Sequence, residues 1–283
     1  MTRRVAPLPV RDGLGPARVR LQGGNVLAEF ARRFGAADRV LGGEVFDADG
    51  TVIDSSTEMP AGSVVYLYRD LPHEVAVPFD IPVLYRDDNI VVVDKPHFLA
   101  TMPRGRHVAQ TALVRLRREL DLPELSPAHR LDRLTAGVLM FTTRRAVRGA
   151  YQTLFSRGLV TKTYLAASSA EPALAGAHTI CNRIGKRRGV LQAQIEAGEP
   201  NAETLVEPLG GHRYRLTPRT GRTHQLRLHM AALGVPIDND PLYPTVIDVD
   251  AEDFSRPLAL IAHRLEFDDP ITGVQRTFVS SRS

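Results

Sequence analysis

Residues 128–141 read AHRLDRLTAGVLMF, and this stretch carries the most informative pattern in the chain. A single carboxylate, Asp132, stands between Arg130 and Arg133. The apolar residues 138–141 predict a buried strand directly after it. A carboxylate in this setting either forms a structural ion pair or does chemistry on something that the arginines hold.

Length and composition bound the class of protein. The chain of 283 residues is long enough to bury a substantial core, and its length favours one large domain with a smaller one. No run of about 18 apolar residues is present, so we expect no transmembrane helix. The basic N-terminus is followed by no apolar stretch, which argues against a secretory signal and makes the cytoplasm the expected location. Cys181 is the only cysteine, which excludes an internal disulfide and a cysteine-based zinc site.

The positive charge of the chain is concentrated around the Asp132 segment. Residues 101–160 hold 11 basic and 4 acidic side chains, a net charge of +7. Residues 1–80 hold 9 basic and 11 acidic side chains, a net charge of −2. This distribution is typical of a surface that binds a polyanion. The alternative is a solvated basic helix around 115–118, which would explain the charge without any ligand.

Two parts follow one another along the sequence. Residues 18–36 predict a helix that ends at Gly35, and short strand-like runs around an Asp49-Gly50 turn follow it. Together they predict a small α/β-hairpin module within residues 1–80, after a tail rich in proline and glycine. A proline-rich linker then leads to the second part.

Residues 81–283 predict a larger domain in which strands and helices mix irregularly. Buried strands are expected at 90–93 and 138–141, and a helix is expected to open at 220–223 and to end at Gly234. This irregular order favours an α+β fold over a doubly wound sheet.

Several kinds of active site are excluded by what the sequence lacks. It contains no glycine-rich phosphate loop and no dinucleotide-binding fingerprint after a strand. His224 and His229 are five residues apart, which is the wrong spacing for two metal ligands on one helix face. No serine or cysteine set suggests an acyl-transfer triad. We therefore expect a site without metal or cofactor.

The remaining candidates are one acid and its basic and aromatic companions. An arginine beside an aspartate favours the ionised carboxylate, which is then nucleophilic or able to stabilise a cation. The segment 222–229 supplies a second basic cluster near a predicted helix N-terminus, where anions are favoured. Tyr164 follows Lys162 in a predicted strand, and such a ring can stack on a base while the ammonium meets a phosphate.

Four ordered segments of the chain resemble the RluA-type pseudouridine synthases, which isomerise uridine within structured RNA. The segments are DKP at 94–96, HRLDRLTAG at 129–137, KTYLA at 162–166 and TGRTHQLRLH at 220–229, the last followed by GVPI at 234–237 and by Asp240. The resemblance covers about residues 81–270. Because four motifs recur in order, it is far more specific than any one of them.

This resemblance implies the catalytic roles. Asp132 would be the catalytic carboxylate, and Arg222 would pair with it and hold it ionised. Tyr164 would pack against the target uracil and help with proton transfer at C5. The reaction involves no redox change, so the resemblance also implies that no cofactor is needed.

The resemblance also implies an RNA-binding surface and a fold. Arg130 would fill the gap that the flipped uridine leaves in the RNA, and Lys162 and Arg227 would add positive charge to the site. The partner would be structured ribosomal or transfer RNA, with no DNA and no membrane. The catalytic domain at 81–283 would have a mixed, largely antiparallel sheet, and the module within 1–80 faintly resembles an S4-type RNA-binding domain.

Some positions depart from the family pattern, and other functions stay open. His97 and the residues after it replace a commoner glycine-rich continuation, and Ala136 stands where serine is frequent. By default the DKP segment is a strand-ending turn with Lys95 exposed to solvent. A non-catalytic RNA-binding or ribosome-associated protein would explain the same fold, although it would have no reason to keep Asp132. A carboxylate-dependent glycosidase would need a second acid, and none is obvious near Asp132 in the sequence.

Overall fold

The N-terminal part of the chain packs around a small apolar core of its own. The computed structural model describes four stretches of the chain, residues 7–71, 73–105, 107–250 and 252–282. Contacts within the chain divide it into two compact units, residues 1–73 and residues 74–283. The elements of the first unit are β1 (Ala17–Arg20), β2 (Gly24–Asn25), α1 (Val26–Phe34), α2 (Ala37–Leu41), β3 (Val45–Phe46), β4 (Glu58–Met59) and β5 (Val64–Leu67).

The helix of this first unit is shorter than the sequence predicted. It begins after Asn25, whose side chain accepts a hydrogen bond from the backbone N–H of Ala28, and it ends at Gly35 with a φ of 62°. Residues 17–20 form a strand instead, because alternate residues there face the core. That strand pairs with β5, which also pairs with β3, and all three are antiparallel.

The second unit is built on one large mixed sheet. Its strands are β6 (Val83–Arg86), β7 (Ile90–Lys95), β8 (Ser126–Pro127), β9 (Ala136–Thr142), β10 (Thr161–Ala167), β11 (His178–Gly185), β12 (Gln194–Glu196), β13 (Ala202–Gly210), β14 (Arg213–Pro218), β15 (Leu260–Asp268) and β16 (Gln275–Val279). Its helices are α3 (Ala112–Glu119), α4 (Arg145–Ser156) and α5 (Gln225–Ala232). None of the helices in the described stretches is long and apolar enough to span a lipid bilayer.

The strand order explains which segments meet. Nine strands run in the order β12-β11-β13-β14-β10-β15-β9-β7-β6, while β16 pairs with β15 and β8 pairs with β9. All pairs in the described sheet are antiparallel except β15 with β9. The α+β prediction with a mixed, largely antiparallel sheet is therefore confirmed.

The strands β7 and β9 each contain a continuous apolar run, residues 90–93 and 138–141, because both of their faces are covered. The residues on the face covered by α3 are Val91, Val93, Leu139 and Phe141. The residues on the face covered by α4 are Ile90, Val92, Val138 and Met140. Since neighbouring residues of a strand point to opposite faces, burial of both faces requires a continuous apolar run rather than an alternating one.

Gly137, at the end of the HRLDRLTAG segment, occupies a position that only glycine fits. Its φ of 109° is a conformation that L side chains rarely adopt. It pairs with Ala262 in the parallel ladder, and a Cβ atom there would overlap the backbone of Ala262. Because Ala262 also pairs with Tyr164, this close approach places the end of the Asp132 loop one strand away from Tyr164.

We expect Gly137→Ala to lower the free energy of unfolding by roughly 3 kcal/mol or more, since the methyl group would force two paired strands apart at a strained φ. Gly149→Ala is the matched control, because Gly149 lies within α4 with open space where its Cβ would be. That change should raise the free energy of unfolding by up to about 1 kcal/mol. Urea unfolding measures both, and an equal response of the two variants would contradict the packing described here.

Candidate active site

The loop that carries Asp132 is fixed by the segment that follows β7. The hydroxyl of Thr101 donates to the Leu131 carbonyl (2.8 Å) and accepts from the Leu131 N–H (3.1 Å). Nδ1 of His97 lies 2.7 Å from the carbonyl oxygen of Leu134. The residues on either side of Asp132 in this loop are therefore held by hydrogen bonds, which restricts where its carboxylate points.

Lys95 is the third part of this support, and it is completely buried rather than exposed as the sequence suggested. Its ammonium donates to the carbonyls of Pro96 (2.9 Å) and Leu99 (2.8 Å) and lies 3.4 Å from that of Arg133. Burial lowers the pKa of Lys95 to about 7, although the charge of Asp132 acts in the opposite direction. The DKP segment thus helps to hold the Asp132 loop in place through the Lys95 ammonium.

Asp132 lies beside a buried guanidinium that comes from α5. Its side chain is 32% exposed, and its Oδ2 atom is 3.9 Å from Nη1 of Arg227, whose side chain is 3% exposed. Arg227 donates from Nε (2.7 Å) and from Nη2 to the two carboxylate oxygens of Asp240. Burial alone would lower the pKa of Arg227, but the hydrogen bonds and charge of Asp240 and the charge of Asp132 raise it.

Asp240 sets the direction of Arg227. Its side chain is fully buried, and its Oδ1 atom also accepts from the backbone N–H groups of Leu242 (2.8 Å) and Tyr243 (3.2 Å). A two-bond contact between a guanidinium and a carboxylate fixes the plane of both groups. Consequently the Nη1 group of Arg227, which is not used in the contact with Asp240, is the one that faces Asp132.

The expected pair of Arg222 with Asp132 is not formed in this structure. Arg222 is exposed, and its Nε donates to the backbone carbonyl of Asn201 (3.0 Å). Among the described residues, Arg227 is the arginine that comes within 4.0 Å of Asp132. The physical reason is that α5 begins only at Gln225, so Arg222 stays in the preceding turn while Arg227 lies on the buried face of the helix.

Tyr164 is half-buried on β10 and packs against the apolar groups of both α3 and α5. The register of β10 against β15 shifts between Thr163 and Tyr164, which interrupts the regular alternation of side chains there. Burial raises the pKa of the Tyr164 phenol, and the negative charge of Asp132 raises it further. The phenol is therefore neutral at pH 7 and lies close enough to Asp132 to be affected by its charge.

The other predicted RNA contacts lie at the edge of this group. Arg130 is exposed and makes no hydrogen bond or ion pair with the residues that the structure describes. Lys162 is half-buried, with its ammonium 3.5 Å from the Thr220 carbonyl oxygen, and burial lowers its pKa. In the described part of the chain, no three histidine, cysteine or carboxylate side chains are grouped as ligands for a metal ion.

Comparison with known proteins decides the family. A sequence profile described as RNA pseudouridylate synthase matches residues 89–232, slightly more than half of the chain. The chain belongs to this family. The matched stretch of the chain contains Asp132, Tyr164 and Arg227, and it ends before Asp240.

Individual members of the family are similar to this chain over more than half of its length. The chain is 32% identical to the dual-specificity RNA pseudouridine synthase RluA of Haemophilus influenzae, over 70% of this chain and 91% of that protein. It is 35% identical to human pseudouridylate synthase RPUSD2 over 64% of this chain, but it spans only 33% of that relative. The solved structure of human RNA Pseudouridylate Synthase Domain Containing 1 has a TM-score of 0.59 and 25% identity, covering 74% of this chain and 86% of that one.

The sequence missed three residues of this site. It gave the carboxylate's partner as Arg222 instead of Arg227, it left Asp240 without a role, and it expected Lys95 to be exposed. Signals for all three were present. Arg227 stands between two leucines, Asp240 lies three residues after the apolar segment 234–237, and Lys95 is one of only three lysines and directly extends a buried strand.

Proposed function

We propose that this chain converts uridine to pseudouridine in structured RNA, and that the carboxylate of Asp132 carries out the reaction. The observation that supports this proposal best is the pairing of a partly exposed acid with a buried, oriented guanidinium. Two hydrogen bonds to Asp240 hold Arg227 in place without any help from Asp132. The carboxylate of Asp132 is therefore left available to a substrate.

The chemistry fits these groups. The N1–C1′ bond of uridine must break, the uracil must turn, and C5 must then bond to C1′ while the C5 proton leaves. The Asp132 carboxylate either attacks C1′ or C6 or stabilises positive charge that develops on the ribose, and Arg227 lies beside it. Tyr164 lies next to Asp132, where its ring packs against the uracil and its phenol assists proton transfer at C5.

The target uridine must leave its base stack before it reaches Asp132. Flipping a nucleotide costs a few kcal/mol, which contacts with the RNA backbone offset. We propose that Arg130 fills the space left in the RNA and that Lys162 contributes charge to the same surface. We propose ribosomal or transfer RNA as the substrate and a small S4-like RNA-binding role for the N-terminal unit.

RNA binding should weaken with salt, and Arg130 should account for part of that dependence. We expect Arg130→Gln to reduce the slope of log Kd against log salt by about one, because one phosphate contact is lost. Arg213→Gln is the matched control, since Arg213 is also exposed but lies at a hairpin of the sheet far along the strand order from β9. Binding of a structured RNA at several salt concentrations measures the slopes, and equal slopes for both variants would remove Arg130 from the interface.

The proposed activity is tested by mapping pseudouridine at nucleotide resolution. RNA from cells that lack this gene is incubated with the purified protein, and a second sample is incubated with Asp132→Asn. We expect one or a few uridines to become pseudouridine only with the unaltered protein. No new pseudouridine in ribosomal or transfer RNA would contradict the proposed function.

A further inference from the structure

A histidine that the proposed chemistry does not use lies near the Asp132–Arg227 pair. It contacts Tyr243, whose ring centroid is 5.5 Å from the guanidinium carbon of Arg227, and Arg227 in turn faces Asp132. His224 is the residue before α5, and its backbone is in the left-handed conformation, with φ 57° and ψ 17°. Residues other than glycine rarely adopt this conformation, although histidine is among those that do so more often. The side chain is half-buried, and the charge of Asp132 acts on it.

The hydrogen bonds around His224 determine which ring nitrogen carries the proton. Nδ1 of His224 lies 3.1 Å from the hydroxyl of Tyr243. That hydroxyl donates its one proton to the carbonyl of Ala193 (2.9 Å) and accepts from the Ala193 N–H (2.7 Å). The hydroxyl oxygen therefore has one lone pair left and no proton to offer, so it can only accept from His224.

The alternative arrangement is unfavourable. If the Tyr243 hydroxyl donated to His224, the buried carbonyl of Ala193 would lose its hydrogen bond, which costs about 1–3 kcal/mol. Nδ1 of His224 therefore bears the proton, and in the neutral ring Nε2 carries a lone pair. Among the described residues, no donor satisfies that lone pair.

Burial of the ring favours its neutral form. Burial lowers the pKa of His224, and Arg227 and Lys186 lower it as well, whereas Asp132 and Asp240 act in the opposite direction. With the overall shift downward from an ordinary value near 6.5, the ring is neutral at pH 7. His224 thus carries a hydrogen-bond acceptor, Nε2, that no described donor satisfies, at a position where the charge of Asp132 acts on the ring.

We propose that Nε2 of His224 accepts a hydrogen bond from the flipped uridine and thereby orients it against Asp132. This inference rests on the proposed function. A uridine within an RNA chain has only two hydrogen-bond donors, the N3–H of the uracil and the 2′-hydroxyl of the ribose, because its 3′ and 5′ oxygens are esterified. A base that must turn during the reaction needs a directional contact of this kind, which a point charge does not supply.

Two variants separate this role from a structural one. His224→Asn keeps a donor that reaches Tyr243 and adopts the left-handed conformation readily, but it has no acceptor at the position of Nε2. His224→Gln places an amide oxygen near that position and loses the bond to Tyr243. We expect the Asn variant to fold normally and to bind substrate RNA about three- to tenfold more weakly, as the loss of one hydrogen bond predicts. The Gln variant should recover part of that affinity.

The decisive measurement is a double-mutant cycle between protein and RNA. A short stem-loop that carries the mapped uridine is prepared unmodified, with N3-methyluridine and with 2′-deoxyuridine, and Kd is measured for the unaltered protein and for His224→Asn. We expect the unaltered protein to bind one modified RNA about three- to tenfold more weakly than the unmodified RNA, and His224→Asn to bind the two equally. If His224→Asn no longer discriminates against N3-methyluridine, the donor is the N3–H of the uracil. If it no longer discriminates against 2′-deoxyuridine, the donor is the 2′-hydroxyl.

The opposite result is also clear. If both proteins discriminate equally against each modified RNA, His224 makes no contact with either donor and the inference is wrong. Should the Asn variant fail to fold, the same cycle with His224→Gly gives the answer, because glycine adopts the left-handed conformation readily and also lacks an acceptor, so the discrimination should again disappear. A protein that forms no pseudouridine refutes the proposed function, whereas an active protein without this coupling refutes only the role of His224.

Discussion

Asp132→Asn is expected to abolish pseudouridine formation while RNA binding survives. The substitution keeps the size of the side chain but removes its negative charge, so it can neither attack the nucleoside nor stabilise a cation. We expect the rate to fall by at least about a thousandfold, as is usual when a nucleophilic group is removed, with Kd for RNA changed less than about threefold. Release of tritium from RNA labelled at uridine C5 measures the rate, because C5 loses its proton when it bonds to C1′.

This experiment also separates an enzyme from a binding protein that kept the fold. Asp240→Asn is not a suitable control, because Asp240 holds Arg227. Asp238→Asn is suitable, since Asp238 is close in sequence but bonds the exposed Ser169 instead of the site. That variant should retain nearly full activity. Turnover by Asp132→Asn comparable with that of Asp238→Asn would disprove the mechanism proposed here.

The second large effect is expected from Arg227→Lys, with Arg222→Lys as its matched control. Arg227 uses one edge of its guanidinium for Asp240 and leaves another for Asp132, and a lysine ammonium cannot serve two carboxylates with the same geometry. We expect about a hundredfold loss of turnover for Arg227→Lys and less than about threefold for Arg222→Lys.

Stability must be measured alongside, because Arg227 is buried. Leaving Asp240 incompletely paired should lower the free energy of unfolding by up to about 3–5 kcal/mol. Activity is therefore compared per folded protein, at a temperature where circular dichroism shows both variants to be native. A greater loss of turnover for Arg222→Lys than for Arg227→Lys would return the partner of Asp132 to Arg222, as the sequence first suggested.

The sequence predicted the fold and the family better than the side-chain contacts within the candidate site. The α+β fold and the family followed from continuous apolar strands and from four ordered motifs, and both are confirmed. The roles of Asp132 and Tyr164 stay predictions. The structure places β9, which follows the Asp132 loop, and β10, which carries Tyr164, on either side of β15, and the charge of Asp132 raises the pKa of the Tyr164 phenol.

Two predictions about the site were wrong because they depend on contacts that the local sequence does not determine. Arg222 and Arg227 are both arginines in one short segment, and only the start of α5 at Gln225 determines which of them turns inward. Lys95 looked like an exposed turn residue because lysine is rarely buried. Its burial depends on three backbone carbonyls brought together by the chain after β7, and no local pattern reveals such an arrangement.

The position of β15 has a consequence for how the protein is made. This strand, Leu260–Asp268, lies between β9 and β10, although more than ninety residues separate it from either along the chain. During translation the Asp132 loop and the Tyr164 strand are therefore synthesised early and remain apart until β15 has emerged from the ribosome. The two parts of the candidate site can therefore meet only after β15 has been made.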